Sequence, residues 1–380
     1  MSEIIFPNYD NCILNTISSI LKYYNVPTKH KSLPQLDERL KRKYKNVVLL
    51  ILDGMGEHIL KDISPDGLFR KNEITCVTSV YPSTTTAALT TYYSGKPPYE
   101  TGWIGWSQYF KEYGRAIDMF KQKESYLGDS LNKPRINVFD SIVNYESVFK
   151  QIEKASPDVV AYEINPQYAE KKSTRTITAN SLEEICDELT KVLKNDERKF
   201  IMAYSDNPDG LLHKYGCKSV EVANMIKKAE EKIEELVKEL SEDTILIISA
   251  DHGHKDIKKI YSTIELLELQ ECLIMPPSLE SRSVAFWVHE DKKERFEEIF
   301  NRIFKDEFLL LTKDEVLEKH ILGYGDKHPK IDDFIGNYMA LSISGSIIRL
   351  ETFLAEGKEV KKSTHCGLTK EEMEVPVIVF

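Results

Sequence analysis

The chain has 380 residues, 41% hydrophobic and 29% charged, the composition of an ordinary soluble globular protein. That length fits one large α/β domain carrying an added subdomain. With 51 basic against 61 acidic residues the formal net charge is −10, which argues against a broad basic face for extended nucleic acid. It leaves room for a small phosphorylated substrate, because bound cations reverse the local sign of the field.

The first residues, MSEIIFPNYDNCILN, show neither a basic segment nor a long apolar one, so no signal peptide is expected. No apolar run approaches the roughly eighteen residues that cross a bilayer, so no membrane partner is expected either. The six cysteines (12, 76, 186, 217, 272 and 366) form no CxxC pair, and read as reduced thiols of a cytoplasmic enzyme.

In chain order, residues 12–24 place Cys12, Ile13, Ile17, Ile20, Leu21 and Tyr24 at helical spacing, which predicts a docking helix with one apolar stripe. Asn46 to Leu52 (NVVLLIL) is a buried parallel strand ending in Asp-Gly. Ile74 to Val80 is a second strand, and Thr84 to Tyr93 a helix entered from Tyr-Pro-Ser with Ser83 as N-cap. Strands at Asp158–Ile164, Lys199–Tyr204 and Thr244–Ser249 then alternate with helices at Ser181–Leu193 and Ser219–Leu240. Such alternation predicts a mostly parallel sheet covered on both faces.

After about residue 256 the rhythm changes. A strand at Ser281–Val288, a charged helix at Lys292–Phe304 and a short run at Phe308–Thr312 suggest a small inserted β-α-β subdomain. The main sheet is expected to resume at Asn337–Ser342 and to close with Val375–Phe380. The expected division is therefore an N-terminal helical segment (1–45), a catalytic domain (46–256 and 337–380) and an insertion (257–336).

The chemistry-bearing residues stand at the ends of these apolar runs, where an α/β sheet presents side chains to a ligand. Asp53 follows a buried strand and precedes Gly54-Met55-Gly56, where glycines give a metal room to approach; taken alone it reads rather as closing an Asx-turn. Asp209 and His213, four apart, share one face of a helical turn and can hold one cation between them. Asp251 and His252 follow a strand directly, with Gly253 permitting the sharp turn. His254 is an extra member, expected behind the metal or against phosphate. His365, in Ser-Thr-His-Cys-Gly, brings the set to three histidines and three carboxylates, suited to two borderline-soft divalent cations. Cys366 beside it is a further possible ligand.

Ser83, Thr84, Thr85 and Thr86 offer hydroxyls at a helix N-terminus, where free N–H groups favour an anion. A hydroxyl against a cation can ionise and act as a nucleophile. Chemistry alone does not choose among the four. Downstream, Tyr92, Tyr93, Trp103 and Trp106 stand among Gly95, Gly102 and Gly105. Their rings could stack on a flat leaving group or pack as core; Trp103 and Trp106, flanked by glycine, are the better pocket candidates.

From the strand ending at Asp53, through PSTTTAALTTYYSGKPP, YSDNPDGLLHKYG and SADHGH, to THCGLTKEEMEVPVIVF, the chain resembles the alkaline phosphatase superfamily and its type I phosphodiesterase/nucleotide pyrophosphatase branch. The resemblance spans nearly the whole chain and keeps the motif order. It implies an alkaline-phosphatase-like sandwich with two zinc ions, or manganese, since the ligands accept it. Asp209, His213 and His365 would hold one ion, and Asp53, Asp251 and His252 the other, with Thr85 facing the second. The implied mechanism is in-line attack by Thr85, giving a phosphothreonine that water then hydrolyses. One departure stands out: the resemblance places an Asn for a non-bridging phosphoryl oxygen near Trp106. The Cys-x-Pro-x-Arg motif of sulfatases is absent. A phosphomonoesterase or phosphonate hydrolase of the same superfamily, and a metal-binding scaffold without catalysis, are the alternatives.

Overall fold

The computed structural model of the protein describes residues 3–125, 136–169, 171–350 and 361–380. Two seven-stranded sheets organise it. In the first, the strand Asn46–Leu52 lies at the centre, and all its side chains are buried. A run of Val, Leu and Ile with no polar alternation suits a position enclosed on both faces, and each such side chain contributes about 1.5–3 kcal/mol by leaving water. It pairs in parallel with Arg198–Ser205 on one side and Thr244–Ser249 on the other. Val159–Asn165 and then Thr176–Thr178 extend the sheet in parallel beyond Arg198–Ser205. On the opposite flank Glu374–Val379 runs antiparallel to Thr244–Ser249 and to Glu73–Thr78.

Helices cover this sheet with the boundaries that their caps dictate. Ser181 and Ser219 accept hydrogen bonds from Glu184 N and Val222 N, opening the helices Leu182–Leu193 and Val220–Glu239. The helix Ile13–Tyr23 carries the expected apolar residues, but its other face is buried as well. Asn15 Nδ2 donates to Tyr9 O (3.1 Å) and Lys31 O (2.9 Å), and the Ser19 hydroxyl donates to Leu33 O at 3.2 Å. Tyr9 and the segment 31–33 cover the polar side, and hydrogen bonds to backbone make that burial tolerable.

The second sheet is antiparallel, in the order Phe308–Thr312, Tyr338–Ser342, Ser283–Phe286, Ser278–Leu279, Ser107–Phe110, Arg115–Asp118 and Lys123–Glu124. The expected return to the main sheet at Asn337–Ser342 is thus not found: that strand lies between Ser283–Phe286 and Phe308–Thr312. The reason is packing. Phe296, Phe300 and Phe304 of the helix Lys293–Phe304 form a buried cluster with Phe286, Tyr338 and Ala340. An apolar strand does not state its partner, and this helix face supplies one. Part of the stretch 337–380 expected to complete the catalytic domain, residues 351–360, lies outside the described residues.

Candidate metal centre

The register of the main sheet brings the candidate residues to one edge. Leu52 pairs with Ser205 and Ile51 with Ser249, so Asp53, the 206–209 turn and Asp251 leave the sheet side by side. The backbone then ties them together: Asp53 N donates to Ser205 O, and Asp209 N to Asp53 O, both at 2.9 Å. Gly54 turns at φ +74° and its N–H meets Asp251 Oδ1 at 3.1 Å. A Cβ on Gly253 would come within 2.0 Å of Glu371 O, so the sharp turn after His252 requires glycine.

Two clusters result. In the first, Asp53, Asp251 and His252 are all buried, and their donor atoms lie within 4.8 Å of one another. His252 Nε2 stands 3.4 Å from Asp53 Oδ1 and 3.4 Å from Asp251 Oδ2. The second gathers Asp209, His213, His254 and His365. Asp209 Oδ1 is 3.3 Å from His213 Nε2, 2.6 Å from His254 Nε2 and 3.7 Å from His365 Nε2. The His252 and His365 rings stack at 3.8 Å, which joins the clusters into one centre.

The partners of the Nδ1 atoms orient these imidazoles. His213 Nδ1 meets Ser363 O at 2.8 Å, His252 Nδ1 meets Gly253 O at 3.0 Å, and His365 Nδ1 meets Ser83 O at 3.1 Å. A carbonyl only accepts, so each Nδ1 carries the proton. For His254 the partner is Ser363 Oγ at 3.0 Å. The Nε2 atoms of His213, His252 and His365 therefore present lone pairs to the centre, the arrangement that metal-bound histidines use, whereas His254 Nε2 donates to Asp209 Oδ1 at 2.6 Å. Burial holds His213, His254 and His365 below the ordinary imidazole range, His254 down to about 3, and so favours the neutral ligand form.

The carboxylates complete the argument for cations. Burial and the neighbouring carboxylates push Asp53 up, and burial pushes Asp251 up. Burial also acts upward on Asp209, but the facing His213, His254 and His365 outweigh it and hold the group well below its usual range. Asp53 Oδ1 and Asp251 Oδ2 are buried without a hydrogen-bond partner, although native structures rarely leave such atoms unmet. Two orphaned acid oxygens facing a lone-pair nitrogen fit a divalent cation. The oxygen- and nitrogen-rich donor sets fit zinc or manganese equally.

Thr85 opens the fully buried helix Thr85–Ser94 and is 8% exposed. Its Oγ1 lies 3.2 Å from His252 Nε2. The neighbouring hydroxyls face elsewhere. Ser83 does not cap the helix as expected, since its hydroxyl donates to Gly367 O at 3.1 Å. Thr84 donates to Glu280 Oε1 at 2.9 Å, and Thr86 Oγ1 is buried with no partner. Of the four hydroxyls, Thr85's is the one that meets the Asp53–Asp251–His252 set.

The three residues expected on the substrate side divide. Trp103 is 1% exposed and its Nε1 donates to Val143 O at 2.9 Å, so it is built into the core with Phe110, Ile117 and Leu279 and offers only a wall. His254 is buried against Asp209 and faces no open space. Trp106 is exposed and stands edge-on to Phe120 at 5.3 Å. It borders a cavity of about 650 Å³ lined also by Tyr93, Phe120, Tyr168, Lys172 and Tyr204. The cavity adjoins the centre, because the Tyr204 hydroxyl donates to Asp53 Oδ2.

Several functional partners escaped the sequence reading. Tyr204 ends a strand beside an acid, a weak signal. Glu163 is fully buried in the strand Val159–Asn165 and accepts from Lys172 N (2.8 Å), Ser173 N (3.0 Å) and Thr176 Oγ1 (2.8 Å). It thereby fixes the loop that lines the cavity, and a lone carboxylate inside an apolar strand was its signal. Arg282 and Glu372 form a buried pair at 2.6 Å, and Glu372 also accepts from Gly367 N at 2.7 Å, anchoring the loop of His365.

Residues 47–331 match the sequence profile of the type I phosphodiesterase / nucleotide pyrophosphatase family, a span that holds every candidate ligand except His365 and Cys366. No curated protein matches the chain. Among solved structures, human ectonucleotide pyrophosphatase / phosphodiesterase 5 is similar in fold, with a TM-score of 0.64 and 16% identity over 88% of this chain and 87% of that one. The murine protein in an inactive form with AMP gives 0.61 and 16% over 88% and 87%. Phosphonoacetate hydrolase from Sinorhizobium meliloti with phosphonoacetate gives 0.61 and 16% over 87% and 89%. The chain belongs to the type I phosphodiesterase / nucleotide pyrophosphatase family of the alkaline phosphatase superfamily, and is a phosphoric ester hydrolase.

Proposed function

We propose that the protein cleaves phosphodiester or nucleotide pyrophosphate bonds of a small substrate, with Thr85 as nucleophile and two divalent cations, zinc in the first instance, in the paired clusters. The observation that carries this reading is the 3.2 Å approach of Thr85 Oγ1 to the His252 nitrogen that also faces the orphaned oxygens of Asp53 and Asp251. Asp53, Asp251 and His252 would hold the cation beside Thr85, and Asp209, His213 and His365 the other, with His254 behind Asp209. Cations there would lower the pKa of the threonine hydroxyl and offset charge on the attacking and departing oxygens.

Thr85 Oγ forms a bond to phosphorus as the bond to the leaving oxygen breaks, and the hydroxyl proton passes through solvent to the departing oxygen. A water then attacks the phosphothreonine, restoring the hydroxyl and releasing the second product. The helix N-terminus at Thr85 adds backbone N–H groups toward a developing anion. The cavity supports a flat substrate group: rings of Tyr93, Trp106, Phe120, Tyr168 and Tyr204 line it together with the Lys172 cation. AMP and phosphonoacetate, each bound by a protein of similar fold, are small phosphorylated compounds of the kind proposed. All six cysteines are free thiols, which supports a reducing compartment, the cytoplasm.

The deciding experiment gives the zinc-loaded protein bis-p-nitrophenyl phosphate, p-nitrophenyl phosphate and phosphonoacetate, and searches by mass spectrometry for phosphate on residue 85. Diester turnover with phospho-Thr85 is expected. Faster turnover of monoester or phosphonate would move the function to those classes, and turnover of none would leave a metal-binding scaffold.

A further inference from the structure

Leu279 has φ +82°, a left-handed conformation that leucine rarely takes. Backbone strain of this kind persists where neighbouring contacts impose it, and it gathers at functional sites. Here Gly105 packs against the strained residue so closely that a Cβ would lie 3.2 Å from Leu279 Cα. The next residue, Glu280, is placed against the entry to the Thr85 helix. Its Oε1 accepts from the Thr84 hydroxyl at 2.9 Å and from the Trp106 backbone N–H at 2.7 Å.

These contacts put an acid in an unusual place. Thr84 immediately precedes Thr85 in the chain, and Trp106 stands on the wall of the cavity. Glu280 engages both, and so holds its carboxyl against the residue that leads into Thr85 and against the cavity wall. It is partly buried, and among the described residues it forms no salt bridge that would neutralise it. Burial pushes its carboxyl up, while the two donors and the field of the Lys361 ammonium act the other way. None of the metal ligands needs it, and neither chemical step uses it.

We infer that Glu280 is a specificity-determining residue of this site, disfavouring a doubly charged phosphomonoester against a singly charged phosphodiester. The inference rests on the reaction proposed at Thr85. A monoester dianion brings one more negative charge to the oxygens beside Thr84 and Thr85 than a diester does. Repulsion from a carboxylate hydrogen-bonded to Thr84, the residue next to Thr85, grows with that charge. In the intermediate dielectric of a partly exposed site, the difference amounts to a factor on the order of ten in relative turnover.

The test compares the zinc-loaded wild type with Glu280→Gln and Glu280→Ala, assayed on the alkaline side of neutrality. The glutamine carbonyl keeps an acceptor for Thr84 and Trp106 and removes only the charge; alanine removes both. In each variant the ratio of kcat/KM for p-nitrophenyl phosphate to that for bis-p-nitrophenyl phosphate should rise about tenfold. Calorimetric titration with inorganic phosphate should show affinity tightened by a similar factor. An unchanged ratio, or equal losses on both esters with phosphate affinity unmoved, overturns the inference and leaves Glu280 a structural acceptor. If the wild type hydrolyses neither ester, the reaction proposed at Thr85 fails, and the phosphate titration alone then decides whether Glu280 repels a multiply charged anion.

Discussion

Thr85 Oγ1 and His252 Nε2 stand 3.2 Å apart, and the same nitrogen lies 3.4 Å from one oxygen of Asp53 and one of Asp251. A hydroxyl set against a nitrogen that itself faces two acid oxygens can be activated by whatever the three ligands hold. Thr85→Ala should therefore lower kcat by about a thousandfold or more while metal content and Tm stay close to wild type. Thr84→Ala and Thr86→Ala should retain far more activity, since their hydroxyls point away from the centre. A larger loss in either of these than in Thr85→Ala would reject this register.

The two clusters predict separable metal losses. Elemental analysis of the purified protein should give about two equivalents of zinc, and about one after Asp209→Asn or Asp251→Asn. His254 adds a distinct expectation, since its Nε2 lies 2.6 Å from Asp209 Oδ1 and its Nδ1 is held by Ser363. His254→Gln should weaken the Asp209 site by roughly 10–100-fold, measured by competition with a chelator, while full occupancy remains reachable in excess zinc. Unaltered affinity would mean that His254 serves packing alone.

Trp106 and Trp103 are three residues apart, yet one is exposed at a cavity and the other is enclosed with its Nε1 bound to Val143 O. Trp106→Ala should raise KM for a nucleotide diester several-fold more than for a nitrophenyl ester, through loss of stacking worth about 1–3 kcal/mol. Trp103→Ala should instead cost about 3–5 kcal/mol of stability, as large-to-small changes in a packed core do. Urea unfolding and initial rates on both substrates would separate the two, and equal KM effects of Trp106→Ala on both substrates would remove it from substrate recognition.

How far the centre could be read from sequence depends on the range of the interactions involved. Asp53, Asp209, His213, Asp251 and His252 were legible because each follows a strand or turn whose local pattern announces it. Trp103 and Trp106 were not separable, since glycine neighbours say nothing about which ring a distant Val143 carbonyl will capture. The strand Tyr338–Ser342 was assigned to the wrong sheet for a similar reason. Its apolar pattern fits either sheet, and only the Phe296–Phe300–Phe304 face decides. Glu280 was invisible because its role depends on a left-handed Leu279 and on partners nearly two hundred positions away.

Arg282 and Glu372 are both fully buried and face each other at 2.6 Å. Glu372 also receives Gly367 N, next but one to His365. Removing one partner leaves a buried charge unmet, which commonly costs about 3–5 kcal/mol. Arg282→Met should thus lower Tm markedly, and should weaken zinc binding at the site that includes His365 even when assayed well below the new Tm. Stability lost without any change in zinc affinity would confine the pair to the scaffold.

Glu73 gives the pH prediction, away from the metal centre. Arg70 Nη1 is shared by Glu57, at 2.6 Å, and by Glu73. Burial, with the nearby Glu57 charge, pushes Glu73 up from 4.5 to about 7 against the pull of Arg70. A raised carboxyl pKa means that the folded state binds a proton the unfolded chain has already released. The associated stability is fully present below pH 4.5 and is lost as the pH rises through about 7. At 1.36 kcal/mol per unit the whole linkage would be about 3 kcal/mol. Because the group is partly exposed, solvent screening cuts this to ~1 kcal/mol, or roughly 2 °C in Tm. Glu73→Gln cannot ionise, so it should shed this pH dependence. The Tm of the wild type relative to the variant should be highest below pH 4.5 and should decline by about 2 °C as the pH passes 7. A difference that stays flat across that window, or widens in favour of the wild type at higher pH, would show that Arg70 keeps Glu73 ionised throughout.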